Sequence, residues 1–196
     1  MSAAGPYVSR AGRKLEHALQ TFDIDVAGRT AADFGCNVGG FTDCLLQRGA
    51  TRVMAVDTGY GTLAWKLRQD DRVVVMERTN ALHAEPPPEG VDLVVVDLGW
   101  TPQRRALPAA RRWLAPGGRI ISLVKPHYEL DETERRAHLR EGRLDPEIAE
   151  AMLDRVWAAI PDFDLAPLGR TRSPLVGGKS GRRGAGNVEY LILVGM

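Results

Sequence analysis

Short, continuous apolar runs alternate along the chain with segments whose apolar residues recur every three or four positions. Runs of the first kind suit buried strands and segments of the second kind suit amphipathic helices, so the pattern predicts a parallel sheet with helices on its faces. Strands are expected at Thr30–Phe34, Arg52–Asp57, Val73–Met76, Val91–Asp97 and Arg119–Lys125, with two more near Phe163–Leu168 and Val188–Val194. Val91–Asp97 is the clearest, because an uninterrupted apolar middle is what a central strand covered on both faces needs. Helical spacing links Leu15, Ala18, Leu19 and Phe22, with Ser9 as the expected cap and Arg10, Arg13 and Lys14 off the packed face. It recurs in Phe41, Leu45 and Leu46, ended by Gly49, and in Leu63, Lys66 and Leu67 after the turn Thr58–Thr62. Ala106, Leu107, Ala110, Trp113 and Leu114 form another face, opened by Pro102 and stopped by Pro116, Gly117 and Gly118. A last helix runs from the Asp145 cap to about Ile160. His127–Leu144 is charged and poor in apolar periodicity, and reads as a mobile loop or lid with a short helix. Pro86–Pro88 is a stiff surface connection.

Charged residues gather where these strands end. Asp33 heads a loop, Gly35-Cys36-Asn37-Val38-Gly39-Gly40-Phe41, that joins a strand to a helix; Asp57 ends the second strand, Glu77–Asn80 follows the third, and Asp97 and Lys125 end the next two. In an open α/β sheet the carboxyl ends of the strands form the ligand crevice, and a glycine loop entering a helix suits a nucleotide-like ligand. The spacing Gly-x-x-x-Gly-Gly differs from the dinucleotide fingerprint. Asp33 would sit badly beside a pyrophosphate and well beside the cationic end of S-adenosylmethionine (AdoMet), and Asp57 occupies the position that takes ribose hydroxyls. An unrelated α/β domain with a glycine turn and Asp57 as a strand-end cap remains the alternative from this stretch alone.

A chain of 196 residues is expected to form one domain with a sizeable core. Its net charge of +1 makes no bulk case for nucleic acid, so any such case rests on Arg-rich segments at 10–14, 104–112 and 170–183. Of 26 basic residues four are lysines, Lys14, Lys66, Lys125 and Lys179; a compact, tunable ammonium is what arginine cannot supply. Cys36 and Cys44, with no second pair and no histidine cluster nearby, argue against zinc and against a disulfide scaffold, and read as reduced cytosolic thiols. The amino end has no apolar signal region and no stretch reaches membrane-spanning length, so a cytoplasmic location away from membranes is expected.

Asp97, Lys125, Lys14 and Glu189 can converge on the crevice as two lysines balanced by two acids. Methyl transfer from a sulfonium needs the acceptor oxygen held in line and eased of its proton, which an ammonium steadied by carboxylates can do for a ribose hydroxyl. The stretches Tyr7–Leu15, Phe22–Val26, Asp33–Gly49, Ala55–Gly61, Glu77–Asn80, Leu123–Glu129 and Gly186–Tyr190 resemble the FtsJ-like 2′-O-ribose RNA methyltransferases, and more closely the catalytic domain of the hemolysin A (TlyA) type. The resemblance implies a class I AdoMet-dependent methyltransferase fold, α/β and Rossmann-like, with a seven-stranded, mostly parallel sheet, helices on both faces and the last strand antiparallel. It implies a single domain over 1–196, with residues 1–28 a basic helical segment packed on it. It implies a Lys-Asp-Lys-Glu tetrad at Lys14, Asp97, Lys125 and Glu189, with Lys125 and Asp97 acting on the 2′-hydroxyl. It carries AdoMet contacts onto Asp33, Gly35, Cys36, Asn37, Gly39, Gly40, Phe41, Asp57, Thr58, Thr79, Asn80 and Asp97, with no metal, and makes RNA, in particular ribosomal RNA or a ribosomal subunit, the expected partner.

Three features depart from the family pattern. The hemolysin A type carries an amino-terminal S4-like RNA-binding domain, whereas this sequence starts at the methyltransferase portion. Leu98-Gly-Trp100 replaces the usual Val-Ser-Phe, and an extra Gly-Lys-Ser-Gly-Arg-Arg-Gly-Ala segment precedes Glu189. These keep two other readings open: a methyltransferase for a small-molecule or protein acceptor, and a non-catalytic AdoMet- or RNA-binding ribosome-assembly protein. Trp100 either stacks on a flipped base or packs in the core.

Overall fold

The computed structural model describes residues 5–177 and 186–196. Its main sheet contains β1 (Thr30–Phe34), β2 (Arg52–Val56), β3 (Val73–Met76), β4 (Val91–Val96), β5 (Leu114–Val124), β8 (Ala166–Arg172) and β9 (Tyr190–Gly195), while β6 (Leu139–Arg140) and β7 (Arg143–Leu144) form a separate hairpin. The order is β3-β2-β1-β4-β5-β9-β8; the first five strands are parallel, and β9 runs antiparallel to both its neighbours. This is the seven-stranded sheet the sequence predicts. The order reverses between β1 and β4, so the crevice opens at the carboxyl ends of those two strands. There Phe34 pairs with Val96, and Gly35 and Asp97 follow as the first residues beyond the sheet.

Strand residues alternate between two cores. Ala32, Phe34, Val94 and Val96 pack with Leu107, Trp113 and Val156 on one face, where Phe34 and Trp113 meet edge to face at 5.1 Å. Ala31, Leu93 and Val95 pack with Leu15, Leu19, Phe41 and Leu45 on the other. Helices α1 (Ala11–Thr21) and α2 (Gly40–Gln47) cover this second face, and α4 (Gln103–Arg111) and α7 (Pro146–Ala159) cover the first. Gly49, at φ 89°, ends α2 as expected: its N–H bonds to Leu46 and that of Ala50 to Leu45, the paired closure of a Schellman turn. Gly40 has a packing role, since a β-carbon there would come within 2.2 Å of Ser9 Oγ and 2.9 Å of Ala11 in α1.

Several boundaries differ from the sequence reading. The residue before α1 is Arg10, which makes no side-chain cap; Ser9 Oγ instead accepts from the Ala11 N–H at 3.3 Å. Lys14 does not lie off the packed face but is only 6% exposed, one turn from Ala18 on the buried side. Helix α4 stops at Arg111, short of Trp113 and Leu114; Leu114 opens β5, which passes through Pro116–Gly118 with a register shift against Val91 and Leu93. Proline is accommodated in a strand at such an irregularity. The next helix, α3, is a single turn at Trp65–Arg68. His127–Leu144 is built as α5 (Pro126–Glu129), α6 (Glu132–His138) and the β6–β7 hairpin. Polar contacts order it: Asp131 and Glu134 form a reciprocal capping box, and Arg155 of α7 binds Glu134 and the Glu129 carbonyl. A 3-10 turn at Ile160–Phe163 delays β8 to Ala166. The segment from Gly178 to Ala185, with Lys179 and the basic residues expected at 178–183, lies outside the described residues. Among those described, no helix is long and apolar enough to cross a membrane.

Candidate active site

A cavity of about 1670 Å³ lies over the carboxyl ends of β1, β2, β4 and β5. Each strand delivers one of the acids or bases named above, and α1 and the start of β9 add the rest. Lys14 of α1 and Glu189, just before β9, form a buried ion pair with Nζ to Oε2 2.5 Å. Lys125, after β5, pairs with Asp97, after β4, at 2.5 Å from Nζ to Oδ1, and also donates to the Leu98 carbonyl at 3.2 Å. All four side chains line the cavity. An ion pair as removed from water as Lys14–Glu189 is costly to assemble and serves stability poorly, which favours a chemical use for it.

The other end of the cavity suits a cationic, ribose-bearing group. Asp33 is fully buried; its Oδ2 accepts from the Thr42 N–H and hydroxyl at 2.9 and 2.7 Å, while Oδ1 has no hydrogen-bond partner among the described residues. Burial pushes the Asp33 carboxyl up to about 7; the Thr42 bonds oppose this, and the charges of Asp97 and Asp57 add to it. An acid so placed is poised to ionise against a positive ligand. Asp57 is fixed from both sides, Oδ2 by the Asn37 N–H at 2.9 Å and Oδ1 by the Gly59 N–H at 2.7 Å, with lone pairs left for hydroxyl donors. The loop between β1 and α2 is drawn tight at Gly35, where φ is 86° and a β-carbon would lie 2.7 Å from the Asp97 carbonyl. These residues fit a sulfonium- and ammonium-bearing nucleoside. Among the described residues no group of three or more His, Cys, Asp or Glu side chains is arranged to hold a metal ion.

Residues 7–153 match the family model of the FtsJ-like methyltransferases. The chain belongs to the FtsJ-like methyltransferase family. It is 40% identical over 190 residues to the 16S/23S rRNA (cytidine-2′-O)-methyltransferase TlyA of Mycobacterium tuberculosis, covering 95% of this chain and 67% of that protein. It is 39% identical over 191 residues to YqxC, a candidate rRNA methyltransferase of Bacillus subtilis, covering 95% of this chain and 64% of the relative. A solved structure of a candidate hemolysin from Streptococcus thermophilus superposes with a TM-score of 0.89 at 38% identity, over 100% of this chain and 69% of that one. The chain thus spans about two thirds of the length of these relatives.

In this FtsJ-like chain the residues expected at the cofactor line the cavity, Gly39 excepted. Gly39, at φ 100°, faces Leu63 and Leu67 instead, where a β-carbon would come within 2.3 Å of Leu67; it allows the α3 turn to close on the loop. Phe41 lines the cavity but is buried and belongs to the α1–α2 core. Asn80 Oδ1 accepts from the Leu82 N–H and Thr79 Oγ1 donates to the Glu77 carbonyl, so both shape the wall as turn residues. Cys36 and Cys44 are free buried thiols, and burial raises the pKa of both.

Sequence reasoning left Trp100 open and passed over three residues near the cavity, Tyr128, Asn187 and Glu129. Trp100 is 77% exposed, so it does not pack in the core; its ring lies 4.8 Å from that of Tyr128, which in turn meets His127 at 4.2 Å. Burial, with the charges of Lys125 and Arg135, lowers the His127 pKa to about 4, so this ring is neutral at physiological pH. Asn187 clamps the hairpin to the site, its Oδ1 accepting from the Leu144 N–H and its Nδ2 donating to the Gly142 carbonyl, both at 2.8 Å. Glu129, beside the Lys125 strand end, accepts from the Gln103 N–H with both oxygens, at 3.0 and 3.2 Å; burial pushes it up to about 7. The signals for Tyr128, Glu129 and Asn187 were present, since all three fall inside stretches that carry the family resemblance.

Proposed function

We propose that this chain transfers a methyl group from AdoMet to the 2′-hydroxyl of an RNA ribose, with ribosomal RNA or a ribosomal subunit as substrate and the cytoplasm as the setting. The observation that carries the reading is the pairing of Lys125 with Asp97 and of Lys14 with Glu189 around one cavity that is also lined by Asp33, whose Oδ1 has no hydrogen-bond partner among the described residues. The M. tuberculosis relative named as a cytidine-2′-O-methyltransferase supports both the acceptor atom and the RNA class.

When bound, AdoMet supplies a methyl group activated on a sulfonium. Asp33 Oδ1 would hold the ammonium of its amino-acid end and Asp57 the ribose hydroxyls. Lys125 Nζ, held by Asp97 Oδ1 and the Leu98 carbonyl, would orient the 2′-hydroxyl, and the proton that this oxygen gives up on methylation would be taken by the Lys125–Asp97 pair. Lys14, fixed by Glu189, adds positive charge where the 2′-oxygen becomes electron-rich. Trp100 and Tyr128 at the mouth offer stacking surface to the base of the target nucleotide. Incubation with methyl-labelled AdoMet and undermethylated ribosomal subunits tests the substrate class. Label should enter an RNase-sensitive fraction and should not enter protein or small-molecule fractions; robust labelling of a non-nucleic acceptor would replace this reading.

A further inference from the structure

Beside the main cavity lies a smaller groove of about 280 Å³, lined by Leu82, His83, Arg104, Arg105, Pro108, Ala109 and Arg112. Leu82 and Arg105 line both, so the groove opens directly off the acceptor side of the site, next to Gly99, Trp100 and Thr101. No acid lines it. Among the described residues the side chains of Arg104 and Arg105 make no salt bridge or hydrogen bond, although the charge of Arg104 is felt by the buried Glu129, and the Arg112 side chain makes a single bond, to the Leu82 carbonyl at 3.1 Å. Elsewhere many arginines are neutralised by a carboxylate: Arg48 by Glu16, Arg68 by Glu77, Arg72 by Asp70, Arg111 by Asp164, Arg155 by Glu134 and Arg170 by Asp154. Arg111, in the same helix as Arg104 and Arg105, turns to Asp164. Three exposed guanidinium groups along one groove, none in a salt bridge among the described residues, form a concentrated positive strip that leads away from the catalytic lysine.

We propose that the Arg104–Arg105–Arg112 groove is a backbone-phosphate track that holds the RNA on one side of the target nucleotide. The inference rests on the RNA reading above and adds the direction in which the strand leaves the site. Guanidinium groups match phosphodiester oxygens in fork geometry and bind without reading sequence, so the groove fixes register while the cavity selects the nucleotide.

The test is fluorescence-anisotropy binding of a labelled RNA hairpin across a salt series. It compares wild type with Arg104→Ala/Arg105→Ala/Arg112→Ala and with Arg29→Ala/Arg52→Ala/Arg119→Ala. The second triple removes equal charge from exposed arginines near the amino-terminal ends of β1, β2 and the paired part of β5, away from the crevice. The groove variant should lose about two units of the slope of log affinity against log salt, since each of three lost phosphate contacts on a single strand removes about 0.7. The second triple should keep the wild-type slope. Arg104→Ala/Arg105→Ala, which leaves the Arg112 bond to Leu82 in place, should lose most of the same slope and guards against a folding artefact. Salt-dependent binding by wild type with the two triples indistinguishable would overturn the groove alone. An absence of salt-dependent binding by wild type would overturn the groove together with the RNA reading.

Discussion

Replacing Asp33 by Asn should uncouple cofactor binding from pH. In the free protein the Asp33 carboxyl titrates near 7, chiefly because it is fully buried. An ammonium beside Oδ1 draws it into the ionised form, so below pH 7 binding must expel a proton. The linked affinity then falls about tenfold per pH unit once the acid is mostly protonated, and from pH 7 to pH 5.5 the dissociation constant should rise roughly fifteenfold. The cofactor's own α-amino group, with an ordinary pKa of about 8, stays charged over that window. Calorimetry in two buffers of different ionisation enthalpy counts the protons: close to one released at pH 5.5 and about half at pH 7. Asp33→Asn removes one partner of a buried charge pair, worth about 2 kcal/mol or more, so AdoMet should bind at least roughly thirtyfold more weakly at pH 7. The variant should show no pH trend and no proton release. It should also fold, because the amide can still accept from Thr42 and no buried acid remains. Equal affinity and an unchanged pH trend in Asp33→Asn would refute the assignment.

Glu129 makes a second pH prediction. Its folded pKa of about 7 lies above the ordinary 4.5, so between these values the native state holds a proton that the unfolded chain has lost. Its stabilising contribution is complete below 4.5 and is lost as pH rises through 7; Glu129→Gln should remove a pH-dependent component on the order of 3 kcal/mol, read from denaturant midpoints at pH 5 and pH 8. Lys14→Met leaves the Glu189 carboxylate buried without its partner and should cost about 3–5 kcal/mol, whereas Lys14→Met/Glu189→Met should regain most of that stability and remain inactive. Thermal unfolding and methyl transfer on the same samples separate the two effects; an active double variant would exclude the pair from the chemistry. Gly40→Ala drives a β-carbon into Ser9 and Ala11, so it should cost about 1–3 kcal/mol and lower activity by shifting the helix that carries Lys14. A melting temperature equal to wild type would show that α1 is not held there.

The central sheet was legible because its strands are buried on both faces and therefore read as plain apolar runs. Asp57, Asp97 and Lys125 were legible for the same reason, since a charge directly after such a run must stand at the carboxyl edge; Asp33, inside β1, was read from the glycine loop that follows it. Lys14 was not readable from helical spacing, which assigns a lysine to solvent; its burial depends on Glu189, 175 residues away. In the stretch from His127 to Leu144 only a short helix was legible; the second helix and the hairpin rest on a capping box, Arg155 and Asn187, none of which leaves an apolar period. Gly39 was read as space for a ligand, but its close neighbours are Leu63 and Leu67; Gly40 lines the cavity and also leaves room for the approach of α1, which the sequence did not show. Trp100 could not be assigned from its neighbours in sequence, because its exposure follows from the turn after β4, where its φ is 55°.

The most direct test of the account is to methylate undermethylated ribosomal RNA with wild type and with Lys125→Ala, digest to nucleosides and identify the methylated product by mass. Wild type should yield a 2′-O-methyl nucleoside that is absent with Lys125→Ala, although the variant still binds AdoMet. A base-methylated product, or an undiminished yield from Lys125→Ala, would contradict it.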